Sequence, residues 1–143
     1  METISKNIII KAPRGKIFDY FADPMTAEEW SPALEKITKV TGEGVGLETE
    51  WIYKMFGLKF SGKSIVRTVD SPSCYTIDSV SGIMSSLVFT LENYQDSDTK
   101  LNLDIEYTIP IPVLGKLLEK VTIGQNKKIA DQVLSIIKTK MEG

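Results

Sequence analysis

The sequence predicts an α+β fold: a seven-stranded antiparallel sheet curled around one long C-terminal helix, with two short helices between the first and second strands. Three observations carry this. Six successive segments between residues 34 and 109 read as strands, most alternating apolar and polar side chains, with turn signals between them. Helical spacing appears only before them, after Pro13, and behind them, after Pro110 and Pro112. No strand–helix–strand repeat occurs anywhere, which argues against a parallel sheet.

The first strand spans residues 3–11, with Ile8, Ile9 and Ile10 as its apolar centre. Pro13 stands where N1 of a helix belongs, and Ile17, Phe18 and Phe21 follow at helical spacing. Asp23-Pro24 ends that helix. Thr26 with Glu29 three residues on is a capping-box pattern, predicting a second short helix that carries Trp30 and stops at Ser31-Pro32.

The later strands are expected at 34–41, 47–56, 58–69, 74–80, 84–92 and 99–109. In the second of these, Thr49, Trp51, Tyr53 and Met55 share a face opposite Glu48, Glu50 and Lys54. The last alternates most regularly: Leu101, Leu103, Ile105, Tyr107 and Ile109 against Lys100, Asn102, Asp104 and Glu106. Such alternation means a sheet with one wet and one covered face. Glu48, Glu50, Asp104 and Glu106 then belong to the wet face, while Asp78 sits in a strand that alternates poorly.

The terminal helix is expected from Pro112 to Lys140, on the order of 40 Å at 1.5 Å per residue. Leu114, Leu117, Leu118 and Val121 form one stripe; Ile129, Val133, Ile136 and Ile137 form another, offset by roughly a quarter turn. Between them Gly124 weakens the helix by about 1 kcal/mol relative to alanine, so a bend or a weak point is expected there.

Composition removes several function classes. A net charge of -2 over 143 residues, with scattered basic side chains, gives no footprint for nucleic acid or for a polybasic membrane contact. The chain has no histidine and one cysteine, Cys74. Histidine-based triads, histidine zinc sites and an internal disulfide are therefore impossible, and neither a metal nor a cofactor is expected. No apolar run approaches a membrane span, and the first residues do not resemble a signal peptide. The expectation is a single cytoplasmic domain over 1–143, leaning away from catalysis, with its oligomeric state open.

One helix covers only a strip of a twisted seven-stranded sheet. The inner faces carry Trp51, Tyr53, Phe60, Phe89 and Tyr107, where a solid core could be mostly Leu, Ile and Val. Tyrosine and tryptophan bring polar tips that need partners when buried. Apolar bodies with a few polar tips are the usual lining of a small-molecule pocket. A solid core with tyrosine tips at the sheet edge is the competing reading. The candidate ligand-binding set is Trp30, Trp51, Tyr53, Phe60, Tyr75, Phe89, Ile105, Tyr107, Leu117, Val121 and Gln125, with Trp30 either a core plug or, by a slight preference, a lip of the cavity mouth.

The segments IIIKAPRGKIFDYFADP (8–24), WSPALEKITKVTGEG (30–44) and FSGKSIVRTVDSPSCYTIDS (60–79), with the closing strand-Pro-helix, together resemble the START-like, or SRPBCC, superfamily. The nearest resemblance is to its polyketide cyclase/dehydrase branch. The resemblance spans nearly the whole chain and is a diffuse pattern. It implies a helix-grip fold with an apolar ligand cavity between sheet and helix, and binding or transport of a small apolar or amphipathic molecule. Two other roles stay open: a cyclase or dehydratase using Tyr53, Tyr75 or Tyr107 as proton donors, and a protein-interaction module of the co-chaperone kind. GEGVG (42–46) resembles the glycine-rich loop of plant pathogenesis-related members, although Val45 stands where those have glycine.

Gly57-Leu-Lys-Phe-Ser-Gly-Lys-Ser64 matches the GxxxxGK[ST] phosphate loop in letters. That motif works only when a helix begins at its Gly-Lys-Ser, so that backbone N–H groups cradle phosphate. Here Ile65-Val66-Arg67-Thr68-Val69 follows, a β-branched strand former. The expectation is a strand in which Gly62 makes room for the facing helix.

Overall fold

The computed structural model describes residues 2–55, 57–82, 84–108 and 111–143, and their side chains except at 2, 55 and 111–123. The elements run β1 (Glu2–Ile10), α1 (Arg14–Ala22), a 3₁₀ turn (Pro24–Thr26), α2 (Ala27–Trp30), β2 (Leu34–Thr41), β3 (Glu48–Met55), β4 (Leu58–Asp70), β5 (Cys74–Ser81), β6 (Ser85–Tyr94), β7 (Asp98–Tyr107) and α3 (Ile111–Glu142). The seven strands form one antiparallel sheet in the order β1-β7-β6-β5-β4-β3-β2. The strands β2 to β7 are a simple meander. Only β1 is out of sequence, added beside β7, so the chain must travel from one sheet edge to the other before β2. The two short helices make that crossing.

Their caps differ from expectation. Thr26 does not close a capping box. Its hydroxyl donates to the carbonyls of Tyr20, at 2.7 Å, and Asp23, at 2.8 Å. The Glu29 carboxylate accepts from the Tyr20 hydroxyl at 3.2 Å and pairs with Lys140 of α3 at 3.4 Å. The physical reason is the 3₁₀ turn: it brings the Thr26 hydroxyl under the end of α1, where unpaired carbonyls are available. The cap of that turn is Asp23, whose carboxylate accepts from Met25 N–H at 3.0 Å.

Helix α3 is continuous through Gly124. Its described half buries Ala130, Val133, Leu134, Ile137 and Met141. That stripe packs on β1 and reaches β7, α1 and α2. The C-terminal end is fixed by polar contacts. Lys138 donates to the Ile9 carbonyl at 2.7 Å and pairs with Glu142 at 2.6 Å, while Glu142 also accepts from Lys11 N–H at 2.8 Å. These bonds hold the Glu142 carboxyl below the usual carboxylate range, the Lys138 hydrogen bond contributing most.

Beneath α1 and α2 the core is aromatic. Phe21 stacks on Phe89 with ring centroids 4.5 Å apart. Tyr75 meets Phe18 and Phe21 edge-on, and Trp30 meets Phe89 edge-on at 5.7 Å. On the outer face of the sheet Asp78 pairs with Arg67 at 3.3 Å, which places this ambiguous residue on the wet side. The phosphate-loop lookalike lies in β4 and the turn before it, without a helix at its Gly-Lys-Ser.

Candidate functional site: a cavity between sheet and helices

Between the concave face of the sheet, the short helices and α3 lies a cavity of about 190 Å³. Four groups of residues wall it. Phe21, Ala27 and Trp30 come from the helical crossing. Leu47, Thr49, Trp51 and Tyr53 come from β3 and its approach. Ser64, Val66, Tyr75, Ile77 and Ser79 come from β4 and β5. Ser85, Leu87, Ile105 and Tyr107 from β6 and β7 face Asn126, Ile129 and Val133 of α3. No Lys, Arg, Asp or Glu is among the described lining residues. The period of two along each strand explains the selection: Thr49, Trp51 and Tyr53 point in, while Glu48 points out to pair with Lys63 at 3.6 Å.

Of the residues expected from sequence, Trp30, Trp51, Tyr53, Tyr75, Ile105 and Tyr107 line this space. Of the two places expected for Trp30, the structure shows the core plug and not the lip. Its ring is buried in the aromatic core and presents one side to the cavity, because α2 lies against the sheet. Phe89 is fully buried behind Phe21 and Trp30, which shield it from the cavity. Phe60 is half-buried opposite Tyr53 across β3 and β4, outside the described lining. Gln125 is exposed; one residue further round the helix, Asn126 takes the place expected of it. Leu117 and Val121 lie outside the described side chains.

Gly62 serves a different neighbour from the one expected. A side chain there would collide with the Trp51 indole and the Ser81 carbonyl, not with α3. Gly62 and Trp51 are directly paired across β4 and β3, so the indole can lie over the bare backbone. Its N–H donates to the Ser64 hydroxyl at 2.8 Å, and its ring meets Tyr53 edge-on at 5.9 Å. Burial pushes the phenols of Tyr53 and Tyr75 up to about 12. Both therefore stay protonated through the neutral range, with a proton available to donate.

The whole chain matches one family. A model of the polyketide cyclase / dehydrase and lipid transport family covers residues 1–142. The chain belongs to that family. Solved structures superpose closely on this family member. A protein of Thermus thermophilus aligns with a TM-score of 0.85 at 17% identity, over 98% of this chain and 97% of its own. The Zhui aromatase/cyclase of a Streptomyces species gives 0.81 at 14% identity, over 99% and 93%. A START superfamily protein of Mycobacterium smegmatis gives 0.73 at 14% identity, over 98% and 97%. At these identities the likeness concerns the helix-grip fold. No curated protein matches the chain. Among the described residues no cluster of His, Cys, Asp or Glu could hold a metal ion, and no helix is long and apolar enough to cross a membrane.

The sequence reading missed Ser64, Ser79 and Ser85, which line the cavity. Small hydroxyl residues carry little weight in a search for apolar and aromatic side chains. Their signal lies in strand parity: Ser64 is two residues from Val66, and Ser79 two from Ile77, on the same inner face.

Proposed function

We propose that this family member binds a small, uncharged, largely apolar molecule in the cavity between sheet and helices, as a carrier or a binding protein. The observation that carries the reading is the cavity itself: apolar walls, a few hydroxyl tips and no described charged side chain at its surface. Burying apolar ligand surface supplies about 25 cal/mol per Å² before ordering costs are subtracted. An apolar cavity of about 150 Å³ is enough for one benzene ring, so a space of about 190 Å³ suits a body of one or two fused rings. The single cysteine fits a reducing, cytoplasmic setting for such a role.

Catalysis by a cavity tyrosine is the second reading, favoured by the presence of Tyr53, Tyr75 and Tyr107 on the walls. The raised phenols weigh against it. A general acid works best with a pKa near the working pH, and Tyr53 at about 12 gives up its proton reluctantly. Hydrogen bonding to a bound oxygen is the better use of such a group.

Native mass spectrometry of the protein purified from its own host tests the binding reading. Co-purification of a neutral small molecule, recovered chemically unchanged after prolonged incubation, supports a carrier. Recovery of a cyclised or dehydrated product, lost in one Tyr→Phe variant, establishes the enzyme instead. Absence of any bound mass, together with no binding of the neutral fluorophore N-phenyl-1-naphthylamine, overturns both.

A further inference from the structure

We propose that the tip of the β3–β4 hairpin docks on an anionic lipid surface, with Leu58 entering the acyl boundary and Lys54, Lys59 and Lys36 set against the headgroups. The inference is independent of what the cavity holds.

The register of the sheet makes this tip a projecting arm. β3 and β4 stay paired outward through Lys54 opposite Lys59 and Met55 opposite Leu58. On one side, the pairing of β2 with β3 stops at Leu34 opposite Tyr53, with one further bond from Lys54 N–H to the Ala33 carbonyl at 2.9 Å. On the other side, the pairing of β4 with β5 starts only at Lys63, opposite Ser81. Leu58 thus stands about 16 Å past that pair, by the usual rise along a strand.

The arm is sorted into two faces. Strand parity puts Leu58 on the face of Phe60 and Tyr53, and Lys54 with Lys59 on the other. Lys36, paired with Ile52, stands one step back on the lysine face. Leu58 is 47% exposed, and Met84, in the turn between β5 and β6 at the same end of the sheet, is 50% exposed. A surface that touches both turns lies oblique to the strands.

Charge selects the partner. Lys54 and Lys59 face each other directly, an arrangement that costs stability. Glu35 pairs with Lys59 at 3.3 Å. Among the described residues no carboxylate pairs with Lys54 or Lys36. These lysines are scattered along the sequence, and the register gathers them. A second copy of the same tip would set lysine against lysine, which disfavours self-association there. The depth order favours lipid over an acidic polypeptide. Leu58 belongs to the outermost pair and the lysines lie behind it on the opposite face. At a bilayer boundary an apolar side chain then enters the acyl edge, while lysine stems bend back to the phosphates. An acidic polypeptide would satisfy the lysines and leave Leu58 in water.

Co-sedimentation of the whole protein with vesicles tests this, using phosphatidylcholine alone and phosphatidylcholine mixed equally with phosphatidylglycerol, at low and high salt. The expected result is binding to the anionic vesicles, at least about tenfold weaker on the neutral ones and falling with salt. Lys54→Glu and Leu58→Asp should each weaken it at least about fivefold. Val45→Asp should not, although Val45 is 65% exposed, because it lies in the β2–β3 turn at the opposite end of the sheet. Leu58 is not a cavity residue. Leu58→Asp should therefore keep the melting temperature and the affinity for N-phenyl-1-naphthylamine measured without vesicles. Equal binding to both kinds of vesicle, an equal loss in Val45→Asp, or no vesicle binding overturns the proposal. Binding of poly-L-glutamate in that last case, lost in Lys54→Glu, assigns the tip to an acidic polypeptide instead. The cavity reading stands or falls separately, on the probe.

Discussion

The Trp51 indole lies where a side chain at Gly62 would have to be. The pair sits directly opposite across β3 and β4, and the glycine is the reason the ring can fold down along the cavity wall. Gly62→Ala should therefore cost about 1–3 kcal/mol, the usual range for overpacking. Rotating Trp51 away cannot relieve it fully, because the new methyl also meets the Ser81 backbone carbonyl. Chemical denaturation should show the loss, with a changed tryptophan emission as the indole leaves Ser64. An unchanged midpoint and spectrum would show that the strands shift freely at this point.

Alkaline stability reports on the same wall. Burial raises the Tyr53 and Tyr75 phenols from 10.0 to about 12. Between those values the unfolded chain releases protons that the folded chain keeps, so stability is flat up to about pH 10 and falls as pH rises towards 12. The slope is at most about 1.4 kcal/mol per pH unit for each phenol. Tyr53→Phe should flatten this fall and leave the melting temperature at pH 7 to 9 without any pH trend. A wild-type protein whose stability already drops between pH 8 and 9 would contradict the burial of these groups.

Trp30 is 5% exposed, and its indole N–H has no hydrogen-bond partner among the described residues. An unpaired buried donor is a cost that the ring's packing on Phe89 must outweigh. Trp30→Phe keeps an aromatic ring and removes the donor, so the two changes offset and the loss should stay under about 1.5 kcal/mol. Trp30→Ala should cost about 3–5 kcal/mol, as for other large aromatic truncations in cores. Thermal unfolding of the two variants side by side gives the comparison; equal losses would mean that the N–H is satisfied.

The strands were legible because alternation with period two survives wherever one face is wet. All seven appear within about two residues of the expected bounds, and β7 shows the clearest pattern. The long α3 was legible from its apolar stripe and the prolines before it. What the sequence hid depends on neighbours distant in the chain. Thr26 looks like a cap until the 3₁₀ turn places its hydroxyl beneath the Tyr20 carbonyl. Gly62 looks like space for a helix until the register sets Trp51 opposite it. Phe89 and Tyr53 both read as inward aromatics, yet only the packing of Phe21 and Trp30 decides that Phe89 is sealed in and Tyr53 reaches the cavity.

Leu87 of β6 faces the cavity, paired with Ile77 on β5 and with Ile105 on β7. A larger side chain there enters existing space, so Leu87→Trp should fold with a stability within about 1 kcal/mol of the original, unlike the same change in a packed core. It should also occupy the volume a ring-shaped ligand needs and weaken binding of N-phenyl-1-naphthylamine at least tenfold, or about 1.4 kcal/mol. Fluorescence titration measures the binding and thermal unfolding the fold. Full retention of probe affinity in a well-folded Leu87→Trp variant would place the probe on the outer surface and remove the cavity from the account of function. Loss of affinity with the fold intact puts the ligand between sheet and helix, against Leu87 and its paired neighbours Ile77 and Ile105.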